Sequence, residues 1–226
     1  VFGETDFDGI LPKKVPIHSV MGDSHGALFG QGCLQPGKIK ATYGTGSSIM
    51  MNIGEKPILS THGVVTSLAW KIGGHVNYVL EGNLNYTGAV ITWLKDDLEL
   101  ISSAAETEAL ANKAVKEDGL YLVPAFSGLG APYWDSDARA AIVGMSRTTR
   151  KAELVRAALE CIAYQITDVV KAMSEDSKIC IGQLCVDGGP TRNAYLMQFQ
   201  SDLLTADVMV PDAEELSAIG PAYAAG

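Results

Sequence analysis

The order of predicted strands and helices is the feature that most restricts the fold of this chain. β-Prone runs flank Gly44-Thr45-Gly46 and later Gly73-Gly74, and glycine turns between such runs are typical of antiparallel hairpins. Further along, apolar residues recur every three or four positions over residues 151–173, which predicts a long helix with one buried face. A strand (179–186), a Gly-Gly turn, a helix (193–204) and a last strand (207–210) are predicted to follow. Hairpins followed by alternating helices and strands predict an α/β domain with a mixed sheet flanked by helices.

Shorter segments complete this pattern. Residues 19–37 predict the end of a strand and a helix of small residues, with Pro36-Gly37 as its stop. Helices are also predicted over 86–99 and 102–116, and two strands separated by a long loop within 119–145.

Composition excludes several classes of partner. The chain has 226 residues and a net charge of −9, whereas a nucleic-acid surface needs clustered Lys and Arg. No apolar run approaches the roughly 18 residues that span a bilayer, and no hydrophobic leader is present. The four cysteines lack CxxC spacing, which predicts buried free thiols in a reducing, cytoplasmic compartment. An anionic ligand would therefore have to be held by backbone N–H groups, a metal ion or a few placed cations.

The first candidate site is the turn at Gly188-Gly189. A strand that ends at Asp187, followed by two glycines and a helix, places free backbone N–H groups at a positive helix end. Glycines there let a ligand approach the main chain, although a plain tight turn fits them equally well. The pattern is neither GxGxxG nor a P-loop, so it indicates neither a Rossmann nor a Walker site.

Two further stretches carry polar groups between glycines. The hairpin tip from Tyr43 to Ser48 can aim N–H and O–H donors at phosphate oxygens, but an ordinary hairpin would use the same glycines. Asp23 follows an apolar strand end and can accept a proton or contact a metal ion, while an isolated Asp is more often a helix N-cap. His25 lies close to it, but neighbouring helical residues point about 100° apart, which argues against a direct Asp–His pair.

The loop from Gly128 to Asp135 contains Pro132, Tyr133 and Trp134. Its aromatic rings can bind a ligand or cover the core, and without further context covering the core is the favoured interpretation.

Together and in this order, the motifs resemble one family. The chain resembles the FGGY carbohydrate kinases, in the glycerol kinase branch, over nearly its whole length. The resemblance rests on four stretches: GDSHGALFGQGC, ATYGTGSSIMMNIGEKP, VPAFSGLGAPYWDSDARAAIVGMSRTTRKAELVRAALECIAYQ and VDGGPTRNAYLMQFQSDLL. The third is the most specific, because the GAPYWD loop and the helix after it form a family signature.

The resemblance implies a ribonuclease H-like, actin-like ATPase fold. In such kinases two domains close over a cleft, with ATP held mainly by the second domain and sugar by the first. Residues 1–36 would then be the tail of the first, sugar-binding domain, and 37–226 the second, nucleotide-binding domain, truncated at its C-terminus. The resemblance implies that this piece alone is inactive, and that the full-length protein phosphorylates a sugar or polyol hydroxyl and forms a homo-oligomer.

The resemblance also assigns roles to individual residues. Asp23 matches the catalytic Asp, which accepts the proton of the attacking hydroxyl and can contact Mg²⁺ through ATP. The positions that match nucleotide contacts are Gly44, Thr45, Gly88, Thr92, Gly188, Gly189 and Asn193.

Three departures from glycerol kinases concern the substrates. Ser24 follows the catalytic Asp where they have Gln, Ser48 stands where an aromatic ring packs on glycerol, and Thr92 replaces a Gln. We therefore expect Asp23, Ser24 and Ser48 to line a roomier site for a polyol or ketose larger than glycerol. The alternatives are a glycerol kinase proper, a non-catalytic actin-like nucleotide-binding module, and a hydrolase that uses Asp23 with Asp135.

Overall fold

The computed structural model describes residues 1–115, 119–213 and 215–226. Its strands are β1 (Gly3–Thr5), β2 (Val15–Ile17), β3 (Ile39–Tyr43), β4 (Ser47–Gly54), β5 (Val65–Ile72), β6 (His75–Leu84), β7 (Tyr121–Val123), β8 (Ala141–Val143), β9 (Gln183–Asp187) and β10 (Asp207–Met209). Its α-helices are α1 (Asp23–Gly30), α2 (Gly88–Thr92), α3 (Glu106–Lys113), α4 (Lys151–Ser177), α5 (Ala194–Leu204) and α6 (Leu216–Ala225). A π-helical turn spans Trp93–Asp97, and a 3-10 turn spans Gly189–Arg192.

The main sheet has six strands in the order β10-β9-β3-β4-β6-β5. β3 pairs antiparallel with β4, and β5 pairs antiparallel with β6, so both predicted hairpins are confirmed. β9 runs parallel to both β3 and β10, and helix α5 forms the crossover from β9 to β10. The predicted mixed sheet is therefore confirmed.

The two faces of β3 differ in character. Ile39, Ala41 and Tyr43 are buried in the large core that also contains the apolar stripe of α4. The alternate residues, Lys40 and Thr42, point to the opposite face, as the two-residue period of a strand requires. On that face α1 packs against β3 and β4 and lies close to α6. The helices touch through glycine, since a Cβ on Gly220 would lie 1.9 Å from the Gly26 carbonyl oxygen.

Several boundaries differ from the prediction. α4 continues to Ser177 and ends at Lys178 in the left-handed conformation, so β9 begins at Gln183 and not at residue 179. The predicted helix 86–99 divides into α2 and the π-helical turn. The predicted helix 102–116 is shorter at both ends, as α3 runs from Glu106 to Lys113, and residue 116 lies outside the described residues. All four cysteines are free thiols, but the expectation that all are buried is wrong, because Cys180 is exposed and Cys185 is half-buried.

Candidate functional site

A cavity of about 580 Å³ lies between α2, α3, α5 and the 3-10 turn. Its volume falls within the range of small-molecule sites. Four of the seven positions expected to contact a nucleotide lie in its wall: Gly88, Thr92, Gly189 and Asn193. The fold therefore brings together residues from two distant parts of the chain around one ligand-sized space.

The two glycines of the Gly188-Gly189 turn are required for different physical reasons. Gly188 has φ +98°, and a Cβ there would lie 1.9 Å from the Tyr43 carbonyl oxygen, so the backbone itself requires glycine. A Cβ on Gly189 would meet no heavy atom within 4 Å, and Gly189 lines the cavity. Gly188 therefore serves the fold, whereas Gly189 keeps cavity space open.

Asn193 is the N-cap of α5, and its side chain is held by the protein. Its Oδ1 accepts a hydrogen bond from the Leu196 N–H at 3.0 Å, and its Nδ2 donates to Thr107 Oγ1 at 3.0 Å. The Ala194 N–H donates to Glu108 Oε2 at 2.9 Å. Two donors of the first turn are thus already paired, so the expectation that this helix end offers free N–H groups to an anion needs correction. This end of the cavity suits an uncharged part of a ligand.

Gly44 and Thr45 lie beside the cavity and are not in its wall. The Gly88 N–H donates to the Gly44 carbonyl oxygen at 2.9 Å, and the Ala89 N–H donates to the Thr45 carbonyl oxygen at 3.0 Å. These bonds join the hairpin tip to the first residues of α2, and Thr45 is exposed. The hairpin tip therefore lies next to Gly88 in the cavity wall, and Thr45 at the tip is exposed to solvent.

Thr92 is one of the expected nucleotide contacts that lie in the cavity wall. It lines the cavity, and its Oγ1 donates to the Gly88 carbonyl oxygen at 3.4 Å. Because Thr92 lines this cavity, the expectation of a roomier acceptor site rests on Ser24 and Ser48 alone.

Asp23 is the first residue of α1, and Gly22 is the N-cap. The alternative that Asp23 itself caps the helix is therefore wrong. Its carboxylate is exposed and accepts a hydrogen bond from the Ser24 N–H at 2.6 Å. His25 lines a different cavity of about 370 Å³ together with His18 and Trp70, which agrees with the expectation that it does not pair with Asp23.

Ser48 lies on the same face of the sheet as α1. Its neighbours in register are Thr42 on β3 and Asn83 on β6. The Ser48 hydroxyl oxygen is buried and has no hydrogen-bond partner among the described residues. An unpaired buried hydroxyl is unfavourable, so this position suits a site that a polar group fills.

The aromatic loop is anchored by its polar atoms. Trp134 Nε1 donates to the Gly63 carbonyl oxygen at 2.7 Å, and the Tyr133 hydroxyl donates to Asp168 Oδ2 at 2.8 Å. Both residues are more than half exposed, so the interpretation that they cover the core is wrong. Asp135 accepts bonds from the Asp137 and Ala138 N–H groups within its own turn, which leaves the hydrolase alternative without support.

Two charged residues of the site escaped sequence reasoning. Lys40 is fully buried, and its Nζ donates to Thr42 Oγ1 at 2.8 Å. Burial lowers the pKa of Lys40 to about 8, and the nearby carboxylates of Asp187, Asp23 and Glu81 oppose that shift. Asp187 Oδ2 accepts from Gln31 Nε2 at 2.7 Å, while its Oδ1 is buried without a partner among the described residues. The alternation of apolar and polar residues along β3 predicts that Lys40 faces water, so the sequence carried no signal for its burial.

The described residues form a space for the nucleoside of ATP, but they do not form a separate metal site for Mg²⁺. The open space at Gly189 and the ligand-sized cavity fit a nucleoside. Within the described part of the chain, no group of three His, Cys, Asp or Glu side chains could hold a metal ion. Mg²⁺ commonly uses one or two carboxylates together with phosphate oxygens, so Asp23 alone is compatible with an ion brought by ATP. The described helices also include none that is long and apolar enough to cross a membrane.

Sequence comparison places the chain among known proteins. It matches the C-terminal domain of the FGGY family of carbohydrate kinases over residues 39–226. The glycerol kinase of Burkholderia multivorans is 51% identical over 226 residues, and that of Paraburkholderia phytofirmans is 50% identical. Both alignments cover 100% of this chain and 45% of the relative. The chain thus spans about half the length of the curated relatives it matches.

Structural comparison agrees with this assignment. The structure of Plasmodium falciparum glycerol kinase with ADP superposes with a TM-score of 0.86 at 38% identity, covering 91% of this chain and 41% of that one. Xylulose kinase from Lactobacillus acidophilus gives a TM-score of 0.79 at 20% identity, covering 89% of this chain and 40% of that one, which bears on the fold alone. The predicted ribonuclease H-like, actin-like fold class is confirmed. The chain belongs to the FGGY family of carbohydrate kinases, and it contains the C-terminal domain of that family.

Proposed function

We propose that this chain is the nucleotide-binding half of a kinase that transfers the γ-phosphoryl group of ATP to a sugar or polyol hydroxyl. The observation that carries the proposal is the cavity of about 580 Å³ whose wall joins Gly88, Thr92, Gly189 and Asn193. The structure of the Plasmodium falciparum relative contains ADP, which supports a nucleotide as the occupant.

The residues have separate tasks in the proposed reaction. The cavity holds adenosine, with Gly189 leaving room for it and Asn193 fixing the start of α5. Gly44 and Thr45, bonded to the start of α2, face the phosphates. Asp23 accepts the proton of the acceptor hydroxyl while that oxygen bonds to the γ-phosphorus and the bond from phosphorus to the ADP oxygen breaks. Mg²⁺ bound to the phosphates would neutralise charge as the transfer proceeds.

The acceptor is proposed to be a polyol or ketose larger than glycerol. Two hydroxyl groups support this proposal: that of Ser24 beside Asp23, and the unpaired buried hydroxyl of Ser48. By the resemblance, Ser48 stands where glycerol kinases have an aromatic ring that packs on the three carbons of glycerol. The curated relatives at 50–51% identity are glycerol kinases, so glycerol is the competing acceptor.

A panel of acceptors tests both parts of the proposal, the kinase activity and the preference for an acceptor larger than glycerol. The full-length protein, carrying both halves, is given ATP, Mg²⁺ and glycerol, tetritols, pentitols or pentuloses, and ADP release is followed. We expect kcat/KM for a four- or five-carbon acceptor to exceed that for glycerol by about tenfold or more. The matched variant Ser48→Phe should shift the preference towards glycerol.

The outcomes separate these two parts of the proposal. A higher kcat/KM for glycerol would reject the larger acceptor and leave the kinase assignment standing. ADP binding without phosphorylation of any acceptor would favour the non-catalytic nucleotide-binding module instead.

The remaining expectations concern the full-length protein. We propose that residues 1–36 belong to the first domain and 37–226 to the second, and that the second alone is inactive because the cleft needs both. We also propose that the protein is cytoplasmic and forms a homo-oligomer, as the resemblance implies.

A further inference from the structure

Lys40 occupies a position where an apolar side chain would satisfy the packing. It is fully buried on β3, on the face of the sheet that α1 covers, and its register neighbour on β4 is the buried Met50. Removing an ammonium group from water costs several kcal/mol unless charges and hydrogen bonds compensate. Its Nζ donates a hydrogen bond to Thr42 Oγ1, which is a neutral acceptor. The fold therefore keeps a costly charge beneath the site.

The negative charges that favour the charged form of Lys40 belong to three elements of the fold, β9, α1 and β6. The carboxylates of Asp187 at the end of β9, Asp23 at the start of α1 and Glu81 on β6 each raise the pKa of Lys40 and so favour its charged form. Two thiols also belong to its surroundings, Cys33 after α1 and Cys185, its register partner on β9. Lys40 thus lies among acidic side chains that belong to separate elements of the sheet and its covering helix.

Asp187 connects this charge to both parts of the site. Its Oδ2 accepts from Gln31, the residue at the C-terminal end of α1, at 2.7 Å. The next residues along the chain are Gly188 and Gly189, which form the turn at the cavity. Its second oxygen is buried without a partner among the described residues. Asp187 therefore ties the helix that begins with Asp23 to the turn that lines the nucleotide cavity.

We propose that Lys40 and Asp187 are positioning residues for phosphoryl transfer, and that together they hold helix α1, and with it Asp23, against the nucleotide turn. The inference rests on the proposed kinase function. Lys40 neither touches the reacting atoms nor transfers a proton. Its charge fixes the arrangement of the carboxylates, and small misplacements of a reacting group cost large factors in rate.

Steady-state kinetics of the full-length protein with its best acceptor test this inference. Lys40→Met should lower kcat by about 100-fold and change the KM for ATP by less than about threefold. Asp187→Asn, which preserves the shape and can still accept from Gln31, should lower kcat by about 30-fold with a similarly small change in KM. Because the two residues act as a unit, the kcat of the double variant should lie within about threefold of the kcat of Lys40→Met. Lys171→Met, an exposed lysine on α4, is the matched control and should retain wild-type kcat.

Unfolding midpoints are measured for every variant. If Lys40→Met does not fold, Asp187→Asn decides, and a kcat within about threefold of wild type would overturn the proposal. Single effects that multiply in the double variant would also overturn it, since independent structural damage gives that result. A wild-type protein without kinase activity contradicts the proposed function itself, whereas an active wild type with unaffected variants contradicts only this inference.

Discussion

Replacing Asp23 by Asn is expected to lower the turnover number of the full-length protein by about 1,000-fold, while the affinity for ADP changes by less than about threefold. The amide cannot accept the proton of the acceptor hydroxyl. It can still accept the hydrogen bond from the Ser24 N–H that the carboxylate accepts at 2.6 Å, so the start of α1 should be preserved. Single-turnover kinetics with excess enzyme would separate the chemical step from binding.

Asp135→Asn is the matched control for this experiment. Asp135 is the carboxylate that a hydrolase mechanism would require, and its own bonds to the Asp137 and Ala138 N–H groups can be made by an amide oxygen. The control should keep wild-type turnover. A near-normal rate for Asp23→Asn, or a loss shared equally by Asp135→Asn, would show that the base is assigned wrongly.

The second large effect is on stability, at the first glycine of the cavity turn. Gly188→Ala should lower the free energy of unfolding by at least about 3 kcal/mol. Its φ of +98° is unfavourable for a residue with a Cβ, and that Cβ would lie 1.9 Å from the Tyr43 carbonyl oxygen. The clash is with backbone, so relief requires β3 and β9 to separate at their paired ends. Urea unfolding followed by circular dichroism measures the change.

Gly189→Ala provides the comparison one residue away. No heavy atom lies within 4 Å of the position that its Cβ would take, so we expect a change in unfolding free energy of less than about 1 kcal/mol. Equal destabilisation by the two substitutions would mean that the turn needs both glycines for its own conformation. The ligand argument for Gly189 would then lose its basis.

The fold was predictable where a local pattern has one physical solution. Glycine tips between β-prone runs can close only as hairpins, and the stripe from Leu154 to Met173 needs a sheet to bury it. The start of β9 was not predictable, because α4 ends at Lys178, a residue type that gives no left-handed signal. Tertiary packing decides that boundary.

The site was predictable as a set of positions and less so as a set of roles. The order of motifs led to the residues that line the cavity, but sequence could not separate the backbone role of Gly188 from the open space at Gly189. Thr92 matched a nucleotide contact and was also used in the acceptor argument, and sequence alone could not show that it lines the same cavity as Gly189. Lys40 was missed because a lysine in a short strand ordinarily faces water, and only the packing of α1 over the sheet buries it.

Calorimetric titration of ADP into the full-length protein tests most directly whether the cavity beside Gly189 holds the nucleotide. Gly189→Leu fills that space, whereas Gly182→Leu adds the same side chain at an exposed glycine that also has no neighbour within 4 Å and lies outside the cavity. We predict that Gly189→Leu weakens ADP binding by about tenfold or more, and that Gly182→Leu leaves it unchanged. Equal ADP affinity in the wild type and both variants would contradict the account.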